Sequence, residues 1–270
     1  MKKTPRRHWR PIALFALMVF ILMGFREKLQ VTTVELKKEN AVRLLLLSDL
    51  HATEYGENQV ELIKEIESLT PDAIMIAGDL FDERRDTAPA FALVEGIVPL
   101  APVYYVCGNH DLQFHHYHSL FSQLEERGVV VLHGKTEVLN VRDRVISVSG
   151  LIDPLSISHR ELFGYRTHLE NLMDLPEADT HVLLAHRPEY ISLYREFPFD
   201  VVLAGHTHGG QARLPFSRRG LIAPGQGLFP SLSGGVYPYE ELTLVISRGL
   251  SRFRTMPRIY NPPELVLVLL

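Results

Sequence analysis

The chain has 270 residues, 46% of them hydrophobic and 22% charged, with a formal net charge of −4 when its histidines are neutral. These are the proportions of an ordinary folded protein with enough core for one large domain or two small ones. They exclude the global basic excess of a nucleic-acid binder, so no nucleic-acid partner is expected. The single cysteine, Cys107, excludes an intrachain disulfide and leaves the redox compartment undecided.

Lys2, Lys3, Arg6, Arg7 and Arg10 precede an uncharged run from Pro11 to Phe25, which Arg26 ends. A basic front followed by an apolar stretch is the pattern of a signal sequence or anchor. As a helix the run spans roughly 22 Å, short of a ~30 Å hydrocarbon core, with Trp9 and the flanking arginines placed for the interfaces. No small-residue cleavage site follows, so residues 1–28 read as an uncleaved signal anchor, and 29–270 as one catalytic domain. The alternatives are a buried N-terminal helix and a twin-arginine signal, for which Pro5, His8 and Trp9 make a poor match. The positive-inside rule puts the domain outside the cytoplasm.

Gln30 to Asn40 predicts a short strand and turn. Val42 to Leu47 is an aliphatic run of the kind buried on both sheet faces, and it ends in Ser48-Asp49-Leu50-His51. Glu57 to Leu69 has helical spacing, with Val60, Ile63, Ile66 and Leu69 on one side. Strands at Ala73–Ala77 and Val103–Cys107 follow, with a helix between them from about Pro89 to Val98. They end in Gly78-Asp79 and Gly108-Asn109-His110-Asp111. After a helix from about Tyr117 to Arg127, strands at Val129–Leu132, Glu137–Val141 and Val145–Ser149 suggest an antiparallel portion. A helix near His159–Met173, a strand His181–Ala185 ending in His186, and a helix Glu189–Phe197 come next. The strand Val201–Ala204 ends in Gly205-His206-Thr207-His208. Gly209 to Pro238 reads as long ordered loops, and strands at Leu242–Ser247 and Leu265–Leu270 close the chain.

The first half is thus a parallel strand–helix alternation, and such sheets place their sites at the C-terminal ends of strands. Five strand ends carry Asp49/His51, Asp79, Asn109/His110/Asp111, His186 and His206/His208. A lone Asp after a strand is usually a cap or turn residue, but five such ends are hard to explain by capping. Carboxylates, imidazoles and one amide, without a thiolate, suit Mn, Fe, Zn or Mg. The set is too large for one ion; two ions ~3.5–4 Å apart, sharing a carboxylate and a hydroxide, would use it all.

The series Asp49-x-His51, Gly78-Asp79, Gly108-Asn109-His110-Asp111, His186 and Gly205-His206-Thr207-His208 resembles the full signature of calcineurin-like metallophosphoesterases. His186-Arg187-Pro188-Glu189, Gly205 to Gln211, Pro224-Gly225-Gln226-Gly227 and Ser247-Arg248-Gly249-Leu250 further resemble the family's membrane-associated bacterial branch, which includes cell-envelope phosphoesterases and some lipid-pathway pyrophosphatases. The resemblance implies a two-sheet sandwich flanked by helices, an αββα fold. It implies that Asp49, His51, Asp79 and His208 hold one divalent ion, that Asp79, Asn109, His186 and His206 hold the second, and that Asp79 bridges. His110 would face the phosphate, with Asp111 holding its ring.

Around this set, Asp82 reads either as a support of the ligands or as a turn residue, and Cys107 as a buried strand residue. His115, His116 and His118 read as a solvated helix start. Gln211 and Arg213 are candidate substrate contacts, with Arg248 and Arg252 behind them. The apolar residues between Leu214 and Phe229 form either a rim near the membrane or the loop's own small core. The expected activity is hydrolysis of a phosphoester or pyrophosphate on an envelope or lipid-linked substrate. Its rivals are the same chemistry on a soluble nucleotide or small diester, and a catalytically silent metal-binding scaffold.

Overall fold

Two six-stranded sheets lie face to face in the computed structural model, which describes residues 15, 18, 19, 22–25, 27–156, 162–215, 217, 219–252 and 256–270. The strands are β1 (Gln30–Glu35), β2 (Arg43–Leu47), β3 (Ala73–Ala77), β4 (Val103–Val106), β5 (Val129–Val131), β6 (Lys135–Val141), β7 (Arg144–Gly150), β8 (Thr180–Leu184), β9 (Val201–Ala204), β10 (Ile222–Ala223), β11 (Gly227–Leu228), β12 (Gly235–Pro238), β13 (Thr243–Ile246) and β14 (Glu264–Leu269). The first sheet runs β1-β14-β2-β3-β4-β5 and the second β12-β13-β9-β8-β7-β6. Neighbours from β2 to β5 are parallel, as are those from β13 through β9 and β8 to β7.

The aliphatic runs explain this layering. Successive side chains of a strand point to opposite faces. Leu44 and Leu46 of β2 therefore meet Val182, Leu184 and Leu203 in the core between the sheets. Leu45 and Leu47 face the other way, onto Leu62, Ile66, Leu93 and Val94 of the helices Val60–Ser68 and Ala88–Ile97. The outer face of the second sheet is covered in turn by Tyr165, Leu169 and Tyr194. Each buried aliphatic side chain contributes about 1.5–3 kcal/mol. A strand buried on both faces thus gains twice over, which is why these runs do not alternate with polar residues. The outcome is the expected αββα arrangement.

Three expectations need correction. Val129–Val131 does not join an antiparallel portion: it pairs in parallel with β4 and closes the first sheet. Three β-branched residues carry no signal for which sheet they join, and the preceding helix Tyr117–Glu126 is what returns the chain there. Antiparallel pairing begins with β6 and β7. The segment from Gly209 to Pro238 is not all loop, since it holds the hairpin β10–β11 and the edge strand β12. The helix expected over Glu189–Phe197 is a 3₁₀ turn, Pro188–Tyr190, followed by a short helix, Ile191–Tyr194. Residues 157–161 at the start of the helix expected from His159, and most of the expected anchor, lie outside the described residues. Among the described residues no helix is long and apolar enough to cross a membrane.

Candidate metal centre

The parallel strands β2, β3 and β4 all end at one edge of the first sheet, and β8 and β9 end opposite them, packed across β3. The inter-strand hydrogen bonds run on past the strands, from Asp49 N to Gly78 O (3.0 Å) and from His51 N to Asp79 O (3.0 Å). There the backbone turns through the left-handed region, at φ 50° for Asp49, 49° for His51, 51° for Asp79, 67° for His206 and 47° for His208. Each such non-glycine residue costs on the order of 1–3 kcal/mol, and clusters of them mark sites whose side chains must point where a strand would not send them. Gly78 is required for contact: a Cβ there would lie 2.6 Å from both Gly108 N and the His186 ring.

Six of the seven residues expected to bind metal fall into two groups. Asp49, His51 and His208 offer ligand atoms within 4.8 Å of one another, and so do Asp79, His186 and His206. Asp79 stands between the two groups. Its Oδ1 accepts a hydrogen bond from His110 N (2.8 Å). Its Oδ2 lies 3.5 Å from His51 Nε2 and 3.3 Å from His186 Nε2.

Second contacts set the ring orientations. His186 Nδ1 meets the Ala77 carbonyl at 2.7 Å, so this nitrogen carries the proton and Nε2 faces the centre. His208 Nδ1 is 3.2 Å from Ser251 Oγ. His51 Nδ1 faces Asp82 Oδ2 at 3.4 Å, while Asp82 Oδ1 accepts from Arg84 N at 3.0 Å. Asp82 thus fills both of the roles open to it. The Asp49 carboxylate accepts from His206 N at 3.1 Å, which ties the two sheets together at the site.

The electrostatics fit a cationic guest. Burial opposes charge on His186, but the Asp79 carboxylate outweighs it and pushes the ring up to about 10. Burial, followed by the charge of His186, holds His206 well below the usual imidazole range; burial and His51 do the same for His208. Without a cation, the raised rings of His186 and His51 compensate the carboxylates, while His206 and His208 are held toward the neutral, ligating form. Asp79 Oδ2 and Asn109 Oδ1 are buried and have no hydrogen-bond partner among the described residues. A buried acceptor left in this way is costly. Two of them among imidazoles and carboxylates are accounted for by metal ions, so the donor set fits two divalent cations.

One expected role is overturned. Asp111 does not hold the His110 ring. It is fully buried, accepting from Asp79 N and Gly108 N on Oδ2 and from Phe81 N on Oδ1, each at 2.8 Å. It therefore fixes the loops that present Asp79 and Asn109. The His110 ring instead meets Glu83, with Nδ1 2.8 Å from Oε2. His110 also lies within ligand reach of His51 and Asp79, and at 22% side-chain exposure it is more open than His51 or His186. Glu83 was missed because adjacency in sequence favoured Asp111; the signal for it is the acidic pair Asp82-Glu83 just after Asp79.

The outer residues divide. Gln211 lines a cavity with Thr207 and His208, its amide nitrogen donating to the Met256 carbonyl. Arg213 donates to the carbonyls of Gly209 (2.9 Å) and Ser233 (2.8 Å) and so braces the loop. Arg248 pairs with Glu264, and Arg252 lies over the Tyr55 ring at 3.9 Å. His115, His116 and His118 are exposed, and Cys107 is buried.

A cluster of this composition, at the strand ends of an αββα sandwich, defines a two-metal hydrolytic centre. The chain belongs to the calcineurin-like phosphoesterase family, whose profile matches residues 42–210. It is a metal-dependent phosphoester hydrolase whose cofactors are two divalent metal ions. It is 25% identical over 265 residues to the uncharacterised metallophosphoesterase YkoQ of Bacillus subtilis, covering 92% of this chain and 95% of that one. It is 28% identical over 188 residues to the phosphodiesterase YaeI of Escherichia coli, covering 66% of this chain and 65% of the relative. The fold is similar to the crystal structure of TT1561 of Thermus thermophilus, with a TM-score of 0.52 at 14% identity, over 78% of this chain and 91% of that one.

Proposed function

We propose that the chain hydrolyses a phosphoester or pyrophosphate bond of a cell-envelope or lipid-linked substrate, as a member of the family's membrane-associated bacterial branch. In this reading Asp49, His51, Asp79 and His208 hold one ion, and Asp79, Asn109, His186 and His206 hold the other. The observation that carries it is the buried Asp79 carboxylate between two histidine groups, its Oδ2 3.5 Å from His51 Nε2 and 3.3 Å from His186 Nε2. Bound there, two divalent ions supply an activated water and neutralise phosphate charge. His110, steadied by Glu83, faces the phosphate and protonates the leaving oxygen or stabilises its charge. Asp111 acts through the loops it pins and touches no reacting atom.

Residues 1–28 serve as the membrane anchor, with the catalytic domain outside the cytoplasm. The basic front of this segment supports that reading, as do the exposed apolar side chains of Phe15, Met18, Leu22, Met23 and Phe25. The test is a panel of mono- and diesters, nucleotides and lipid phosphates, assayed with Mn, Fe, Zn and Mg in turn, alongside metal analysis. Two ions per chain, and competition by solubilised lipid against a chromogenic ester, are expected. Turnover of nucleotides without lipid competition would assign the enzyme to soluble substrates. Metal binding without turnover of any ester would leave a scaffold.

A further inference from the structure

Beside His208 lies a cavity of about 370 Å³, lined by Ile222, Ala223, Pro224 and Met256 together with Thr207 and Gln211. We propose that it receives the hydrocarbon tail of the substrate, so that the enzyme acts on phosphoesters of amphiphiles drawn from a bilayer. This rests on the lipid-linked reading above and names the part of the molecule that recognises the lipid.

Three observations carry it. The first is polarity and place. The cavity is of ligand-binding size, and its lining joins the apolar side chains of Ile222, Ala223, Pro224 and Met256 to the metal ligand His208, so a tail lying on those walls has its polar head beside the metal centre. The second is the lip. The hairpin β10–β11 turns at Gly225, where a Cβ would lie 2.7 Å from Glu189 Oε1, and Glu189 Oε1 is itself 3.6 Å from His206 Nε2. The hairpin is therefore seated against the His206 side of the centre while it walls the His208 side. Its outward side chains are large and apolar: Leu228 is 67% exposed and Phe229 66%, and Met256 across the mouth is 55% exposed. An apolar rim of this kind around an apolar cavity marks a binding surface, and large apolar side chains at a mouth suit a lipid interface.

The third observation concerns where the apolar N-terminal segment joins the domain. Gly24 O accepts from Tyr260 N at 2.7 Å. Ile259, next in the chain, bridges Ala212, the neighbour of the cavity residue Gln211. Leu22, Met23 and Phe25, all exposed, therefore flank a glycine whose backbone is linked through Tyr260 and Ile259 to the cavity residue Gln211. Exposed apolar side chains at this junction, together with the apolar rim, make a bilayer lipid the fitting occupant.

The test uses the full chain in phosphatidylcholine nanodiscs with its metal content measured. Chromogenic alkyl phosphodiesters from methyl to octyl are assayed below their micellar concentrations. KM should fall by up to about fourfold per methylene, the factor for complete burial of one CH₂, until the tail outruns the cavity. The octyl-to-methyl ratio of kcat/KM should collapse toward one in Ile222→Glu and in Met256→Glu, both at exposed positions that a charge can occupy without unfolding the chain. A flat series in the wild type, or both variants keeping the wild-type ratio, would overturn the assignment. A second arm compares the octyl ester dispersed in solution with the same ester carried in vesicles. Leu228→Ser with Phe229→Ser should lower the vesicle-to-dispersed rate ratio severalfold, and an unchanged ratio would overturn the bilayer as the source. Failure to turn over even the methyl ester would sink the phosphoesterase reading as well; turnover with a flat series would sink only the cavity's role.

Discussion

The two sheets contribute unlike halves to one centre. The first sheet supplies carboxylates and an amide with a single ring, in Asp49, Asp79, Asn109 and His51. The second supplies only imidazoles, His186, His206 and His208. Their supports differ in the same sense. The first half is fixed by a buried carboxylate, Asp111, accepting three backbone amides. The second is held by contacts that cross to the first sheet, from the His186 ring to Ala77 O and from His206 N to Asp49. The first half therefore brings the negative charge and its own scaffold, while the second is positioned by the first and supplies nitrogen ligands. A rigid, anionic half without metal needs a counter-charge, and the raised His186 ring provides it.

This contrast is most directly broken at Asp79, which belongs to both metal groups. Asp79→Asn should abolish binding of both ions and lower turnover about 10³-fold or more, because metal charge stabilisation is worth several kcal/mol; elemental analysis with a chromogenic ester reads both. Turnover surviving in that variant would refute the two-metal mechanism. His110→Ala should keep two ions and lose about 10²–10⁴-fold in kcat, so a loss of metal there would make His110 a ligand.

Smaller effects sharpen the division between support and chemistry. Asp111→Asn should weaken metal affinity about 10–100-fold. It should also cost about 1–3 kcal/mol of stability for each backbone amide left unpaired, read by denaturant unfolding. Glu83→Gln should leave metal content and stability alone while lowering kcat about tenfold or less, because it only loosens a ring. Equal effects at Asp111 and Glu83 would erase the distinction drawn here.

The pH dependence follows from His186. Below about pH 10 its ring is protonated in the metal-free protein and must lose that proton to ligate. Metal uptake should therefore release a proton at pH 7, and affinity should rise with pH by up to about tenfold per unit. Calorimetry in buffers of different ionisation heat reads the release, and pH-independent affinity would mean that His186 is not displaced.

Much of this was legible in the chain. The aliphatic runs Val42–Leu47, Ala73–Ala77 and Val201–Ala204 read as buried strands, and the polar residues after them fell at strand ends. What escaped was anything decided by direction. Asp111 follows His110 directly, yet the 3₁₀ turn Asp111–Gln113 aims its carboxylate back at the amides of Asp79, Phe81 and Gly108. Arg213 follows the last ligands closely and is spent on loop carbonyls. The cavity at His208 joins residues near positions 208, 222 and 256, which no local pattern relates.

The residue types and their spacing by themselves determined the kind of metal chemistry and the parallel strand–helix first half, because ligand identity and apolar periodicity are local properties; the two-sheet sandwich was implied by the family resemblance. The tertiary structure alone decided that Glu83 holds His110, that Asp111 holds the loops, and that an apolar pocket adjoins the centre. Each depends on where a side chain points once two sheets have packed, and packing sums contacts between residues far apart in the chain.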